Sequence, residues 1–310
     1  MLLSVSRRTD IPALYAPWFF NRLNEHYVLV RNPMNPHQIS RVTLSPELID
    51  CIIFWTKNPA PMLFRLKELK DYMFYFQFTI TPYGQELEPA LPDKKMLMET
   101  CRQLAARIGP ERIIWRYDPI LFTPRYTPEF HQQAFAGLAE GLCDSTRHCI
   151  FSFLDLYQKT GHNMRGQGLF FPPRSRLTAL AQELAKTAKR YAMKLSCCSE
   201  PLDLQPFGIG PARCIDPHLI SQLLGEEINV PKDTSQRAEC ACAASIDIGA
   251  YHTCSQSCLY CYANDTPELA RKNAALHDPS APLLFGRPGP SDRITDRKMH
   301  CWRHGQIRLF

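Results

Sequence analysis

CIIFWTKNPAPMLFRLKELKDYMFYFQFTI, residues 51–80, is the stretch that decides the fold. It opens with a short apolar, β-rich run (CIIFW, 51–55), passes through the polar TKNP, continues with a helical pattern over about 60–70, and closes with a second β-rich run, YFQFTI (75–80). Strand, helix and strand in that order form one repeat of a parallel sheet built from βα units. Working outward, the same alternation recurs, with strands predicted at LLSVS (2–6), RIIWRY (112–117), CIFSFL (149–154), MKLSC (193–197) and SIDIG (245–249). Helices are predicted near 13–25, 93–108, 128–142, 174–191, 215–224 and 259–275. The expected fold is α/β: a (β/α) barrel, TIM-like or partial, of about seven βα units.

Between the first helix and the second strand, YVLVRNPMNPHQISRVTL (27–44) alternates apolar and polar residues around a Pro/Asn-rich turn, the pattern of an inserted β-hairpin. The barrel is expected over 1–277, with a cysteine loop at 252–262, and a basic, Pro-rich extension over 278–310. The Pro-rich stretch from Asp278 to Pro290 is expected to end the packed domain. At 310 residues and 45% hydrophobic content the chain suits one barrel-sized domain. It has no run of eighteen apolar residues, and MLLSVSRRTD at its start lacks the apolar core and cleavage site of a secretory signal, so a soluble, cytoplasmic protein with no membrane partner is expected.

The net charge is +6, yet residues 271–310 hold eight Lys or Arg against three Asp, which leaves the body nearly neutral. That balance disfavours nucleic acid as a partner, although the tail could supply backbone contacts.

Polar residues follow one strand after another: SRRTD (6–10), TKNP (56–59), TPY (81–83), RYDP (116–119), DLY (155–157) and CSEP (198–201). In a βα barrel the loops at the C-terminal strand ends build the active site. Arg7, Arg8, Asp10, Lys57, Arg116, Asp118 and Glu200 are therefore the candidate catalytic groups, with Asn58 and Asp155 as candidate cofactor contacts. The competing reading is that such residues cap the next helices or pair around the rim.

Eight of the thirteen cysteines fall within 197–261. An odd count in a large chain without a secretory signal fits reduced thiols and metal ligands better than disulfides. In GAYHTCSQSCLYCYAN, the spacing Cys254-x3-Cys258-x2-Cys261 can wrap three corners of a cubane cluster and leave the fourth iron open. Zinc would need a fourth ligand there, such as His252, which otherwise reads as a loop residue. Cys198, Cys214, Cys240 and Cys242 supply four more thiols, enough for a second iron–sulfur cluster or a zinc ion, against the alternative of small buried hydrophobes. FGIGPARC lacks the setting of a dinucleotide site, and the sequence has no P-loop motif.

The C-x3-C-x2-C loop, with the aromatic Tyr260 before its last cysteine, resembles the cluster-binding loop of the radical SAM superfamily. The resemblance implies a [4Fe-4S] cluster, S-adenosyl-L-methionine bound at its open iron with Tyr260 beside the adenine, and reductive cleavage to a 5′-deoxyadenosyl radical. It also implies an external reductant such as flavodoxin or ferredoxin. In that superfamily the loop follows the first barrel strand, whereas here it follows the last. If strand 245–249 lies beside strand 2–6, the order is a circular permutation that keeps the cluster at the same mouth. From SRRTDIPA through FWTKNPAPM, WRYDPI and FGIGPARCID to DRITDRK, nearly the whole chain also resembles DUF1848, a family described by a C-terminal cysteine cluster similar to the radical SAM one.

The expected function is thus a radical SAM-type enzyme, of lyase or transferase class. Arg7, Arg8 and Lys57 suit an anionic substrate or the carboxylate of the cofactor. The alternative is an iron–sulfur protein of electron transfer or redox sensing without S-adenosylmethionine chemistry.

Overall fold

The computed structural model describes residues 1–237 and 239–303; the last seven residues of the expected extension lie outside the described residues. The strands in chain order are β1 (Leu2–Val5), β2 (Tyr27–Asn32), β3 (Asn35–Thr43), β4 (Cys51–Thr56), β5 (Phe74–Thr79), β6 (Ile113–Ile120), β7 (His148–Phe153), β8 (Lys194–Cys197), β9 (Gly210–Pro211), β10 (Ile246–Asp247) and β11 (Arg293–Asp296). Eight of them form one sheet in the order β10-β1-β4-β5-β6-β7-β8-β9, with every pairing parallel. Leu3 pairs with Ile246 on one side and Ile52 on the other, so the last expected strand does lie beside the first.

The helices are α1 (Ile11–Leu14), α2 (Ala16–Asn24), α3 (Lys94–Ile108), α4 (Pro128–Leu142), α5 (Gln158–Asn163), α6 (Arg174–Arg190), α7 (Pro217–Leu224) and α8 (Pro267–Ala274); α1, α2, α3, α4 and α6 pack on one face of the sheet, and α7 belongs to the cover of the other. Their starts are written in the sequence. Asp93, Thr127, Asp216 and Thr266 each accept a first-turn N–H, and Pro128, Pro217 and Pro267 take the first helical position, where no N–H is needed.

The period of two along each strand divides its side chains between two cores. Val5, Phe54, Phe76, Trp115, Cys149 and Phe151 face the helices, where Trp115 stacks on Phe135 of α4 at 4.9 Å. Leu2, Cys51, Ile53, Tyr75, Ile114 and Ile150 face the other way, against a cover drawn from residues 212–243. Both faces are therefore dry, as a parallel sheet requires.

The hairpin forms as β2 and β3, antiparallel, with Val28 opposite Val42. Several boundaries differ from expectation. Residues 60–69 make a 3-10 helix, α8 starts at Pro267 because the cysteine loop occupies the residues before it, and the two-residue strand β9 carries no pattern that a sequence could announce. The Pro-rich segment does not end the packed structure. Ala281, Leu283 and Leu284 are buried, the Ala281 carbonyl accepts from Trp18 Nε1 at 2.9 Å, and β11 pairs in parallel with β3. Among the described residues no helix is long and apolar enough to cross a membrane.

Candidate functional site

The C-terminal ends of β1, β4, β6, β7 and β8 open on a cavity of about 430 Å³. Cys254, Cys258 and Cys261 line it, and so do Cys198, Cys214, Cys240 and Cys242. Seven thiols from segments far apart in the chain thus share one chamber.

The three-cysteine loop is built by local backbone geometry. His252 and Ser257 adopt left-handed conformations (φ 57° in each) that turn the chain on either side of Cys254. Backbone N–H groups then aim at sulfur: those of Gln256 and Asp10 at Cys254, and those of Ala263 and Asn264 at Cys261, with Ala263 N 3.3 Å from the Cys261 Sγ. Donors of this kind favour thiolate over thiol. Burial opposes them, and with the neighbouring Cys261 sulfur it pushes the Cys254 thiol up to about 12. Burial likewise raises Cys258 and Cys261. Ionising three buried thiols together would call for a cation to share.

Beside the loop stands Tyr260, buried, whose hydroxyl hydrogen-bonds the Glu88 carboxylate and receives a 2.8 Å bond from Lys57 Nζ. Lys57 also donates to Glu88 Oε1 at 2.6 Å, and Lys94 pairs with the other oxygen. Burial alone would raise the Glu88 carboxyl, but the charges of Lys57 and Lys94 outweigh it and hold the group at about 2. Asp247 on β10 organises the opposite wall. Its carboxylate accepts from Ser4 Oγ at 2.8 Å, Ser6 Oγ at 2.6 Å and Arg7 N at 2.8 Å.

A family model described as a domain of unknown function, DUF1848, matches residues 2–263. The chain belongs to the DUF1848 family. No curated protein matches this DUF1848 chain. Among solved structures it is similar to one from Bacteroides thetaiotaomicron VPI-5482 named as an alpha-L-fucosidase, at 13% identity and a TM-score of 0.23, covering 59% of this chain and 85% of that one.

Of the polar residues expected at the mouth of the DUF1848 sheet, Arg7, Arg8, Asp10, Lys57, Arg116, Asp118, Asp155 and Tyr260 line the cavity. Asn58 and Glu200 are not among its lining residues. Asn58 Oδ1 accepts from Ala60 N at 3.2 Å, a cap on the following 3-10 helix, and Glu200 Oε1 accepts from Phe153 N at 2.8 Å. Burial raises Glu200 to about 7. Asp10 does both jobs. It caps α1 through Ala13 N and holds Lys57 N at 2.8 Å, and burial lifts its carboxyl to about 6.

The basic groups at the cavity already face carboxylates: Arg7 meets Asp233, Arg8 meets Asp247, Lys57 meets Glu88, Arg116 meets Asp118, and Arg237 meets Asp155. An anionic substrate would have to share these cations with their partners. Trp55 lies between two of them, with the Arg116 guanidinium 5.1 Å and that of Arg7 6.0 Å from its ring. Sequence reading missed Glu88, Asp247, Trp55 and Arg237. Trp55 and Asp247 lie inside strands already identified, where the period of two could have placed them. Glu88 and Arg237 come from irregular segments with no pattern to follow.

Among the described residues, no three His, Cys, Asp or Glu side chains already surround a point that a metal ion could occupy. The donor chemistry nevertheless fits a cluster at the three-cysteine loop: three sulfurs, one chamber, and backbone N–H donors directed at two of them.

Proposed function

We propose that this DUF1848 protein is a radical SAM-like iron–sulfur enzyme working from a partial (β/α) barrel. Cys254, Cys258 and Cys261 would hold three corners of a [4Fe-4S] cluster. The cluster and S-adenosyl-L-methionine, when bound, supply reductive cleavage that starts radical chemistry, with the electron drawn from an external carrier such as flavodoxin or ferredoxin. The observation that carries this reading is the convergence of those cysteines, with N–H donors on Cys254 and Cys261, on a cavity at the C-terminal edge of a parallel sheet. A volume of about 430 Å³ is in the range of ligand pockets.

The protein's own residues bind, orient and exclude water. Lys57 and Glu88 fix Tyr260 beside the loop, so its backbone has one position against a bound nucleoside. Arg7, held through its backbone N–H by Asp247, and Arg8, paired with the same side chain, suit a carboxylate.

The second reading, an iron–sulfur electron carrier or redox sensor, draws on the pairing of the cavity's cations with carboxylates, which leaves less charge to recognise a substrate. One experiment separates the two. The anaerobically reconstituted, dithionite-reduced protein is examined by electron paramagnetic resonance with and without S-adenosylmethionine, and 5′-deoxyadenosine is assayed. The enzyme reading expects a spectrum that changes with the cofactor and deoxyadenosine that disappears in Cys258→Ala. A cluster that ignores S-adenosylmethionine transfers the case to the carrier, and protein holding zinc and no iron overturns both.

A further inference from the structure

The other four thiols in the chamber lie in a connected row. Cys198 Sγ and Cys214 Sγ are 3.6 Å apart, Cys214 and Cys242 interact electrostatically, and so do Cys242 and Cys240. Each is delivered by a different constraint. Cys198 follows β8, its N–H bonded to Phe151 O at 2.8 Å. The Cys214 carbonyl is gripped from β5 by Tyr75 Oη at 2.7 Å and Gln77 Nε2 at 2.8 Å. Cys242 is set by Asp233 N, which bonds its carbonyl at 2.9 Å, and by Ala243 N on Ile215 O.

We propose that Cys198, Cys214, Cys240 and Cys242 form a tetrathiolate zinc site, separate from the Cys254/Cys258/Cys261 loop. A tetrahedral ion with bonds of about 2.3 Å sets its sulfurs about 3.8 Å apart, which the Cys198–Cys214 separation of 3.6 Å matches. A cubane places each cysteine on its own iron and spreads the sulfurs farther. Among the described residues the four sulfurs do not already surround one point, so binding the ion requires that they close on it. On binding, the thiols lose their protons to solvent, and the four thiolates with Zn²⁺ leave a doubly negative centre. Arg116 stands against it, with Nη1 donating to Cys214 Sγ at 2.8 Å.

The site also has a structural task. Residues 226–245 cover the inner face of the sheet, yet among the described residues their regular structure is one isolated bridge, Lys232 to Ala243. A zinc ion would staple this cover to β8 and to the loop after β9.

The test uses the full chain, purified without oxygen and fully reduced. With Cys254, Cys258 and Cys261 all changed to Ala, the protein is expected to bind one Zn²⁺ per chain against a chromophoric chelator. Co²⁺ in its place should give the thiolate charge-transfer and tetrahedral bands of a four-sulfur site. Adding Cys240→Ser and Cys242→Ser should abolish both. In wild type, which needs no substitution to fold, zinc should protect Cys198, Cys214, Cys240 and Cys242 from alkylation. Substoichiometric zinc, retention of zinc after the serine changes, protection confined to the three-cysteine loop, or iron–sulfur absorbance in the triple variant would each overturn the proposal. Because that variant lacks the proposed cluster ligands, loss of the zinc site and failure of the radical SAM reading give different results.

Discussion

Lys57 Nζ lies 2.6 Å from Glu88 Oε1, and the pair holds the hydroxyl of Tyr260, a residue that stands in the chain between Cys258 and Cys261. Lys57 directly follows β4, whereas Glu88 belongs to the irregular stretch after β5, so the contact ties the segments after two strands to the cysteine loop. Both side chains are largely withdrawn from water, and each is tolerable there because of the other. Glu88→Gln leaves Lys57 and Lys94 without their carboxylate, and a cost of about 3–5 kcal/mol is expected, the usual scale for breaking a buried pair. Urea unfolding measures it. A loss well under 1 kcal/mol would mean that water or a rotated neighbour replaces Glu88.

Gly249 sits where β10 runs into the cysteine loop, close against β1. A Cβ there would meet Ser6 Oγ at 2.0 Å and Ser6 Cβ at 2.6 Å. Gly249→Ala therefore has to displace the hydroxyl that holds Asp247, and a loss of about 1–3 kcal/mol is expected from overpacking. The thermal midpoint checks this, and Gly249→Ala combined with Ser6→Ala should recover part of the loss.

His131 is buried between Tyr117 Oη, 2.8 Å from its Nδ1, and the Leu121 carbonyl, 2.9 Å from its Nε2. Burial pulls its pKa from 6.5 down to about 4, and burial does the same to His148. Between those values the unfolded chain binds protons that the folded chain refuses, so stability is full above 6.5 and falls as the pH drops toward 4. Each histidine contributes a loss of about 3 kcal/mol across the window. Unfolding free energies compared at about pH 7.5 and about pH 5 should differ by about 2 kcal/mol per histidine, and His131→Gln should reduce the slope by one proton. A slope that this substitution leaves intact would place the linkage elsewhere.

Arg303 ties the segment after β11 to the entry of β4. Its Nε bonds Asp50 Oδ1 at 3.2 Å and its Nη2 bonds the Pro46 carbonyl at 2.6 Å, while Trp302 N reaches Asp50 Oδ2 at 3.0 Å. Asp50 is fully buried. Arg303→Ala removes a charged partner from it, and about 1–3 kcal/mol should be lost, read from a denaturant midpoint with an unchanged slope.

The cysteine loop and the polar strand ends were legible because their evidence is local. Three cysteines at fixed spacing need no partner to be noticed, and Arg7, Lys57 and Arg116 each follow a readable strand. Asn58 was placed at the mouth on the same logic, but an Asn before a helix satisfies a backbone donor just as well, and here it does. The tail failed for another reason. Its proline and charge read as solvated chain, while its packing depends on a groove between Trp18, Leu29 and Ile39 that the tail's own residues do not encode.

The sequence by itself determined the periodicities, and with them the parallel βα framework, the hairpin and the C-x3-C-x2-C loop, because strand alternation, helix caps and ligand spacing are properties of neighbours along the chain. Tertiary structure alone decided that Leu3 pairs with Ile246, that Glu88 meets Lys57, and that Cys198, Cys214, Cys240 and Cys242 share a chamber with the loop. Those contacts join residues far apart in sequence. They form only when burial of both sheet faces brings the strand ends to one side, and no local pattern records which long-range partner will be waiting there.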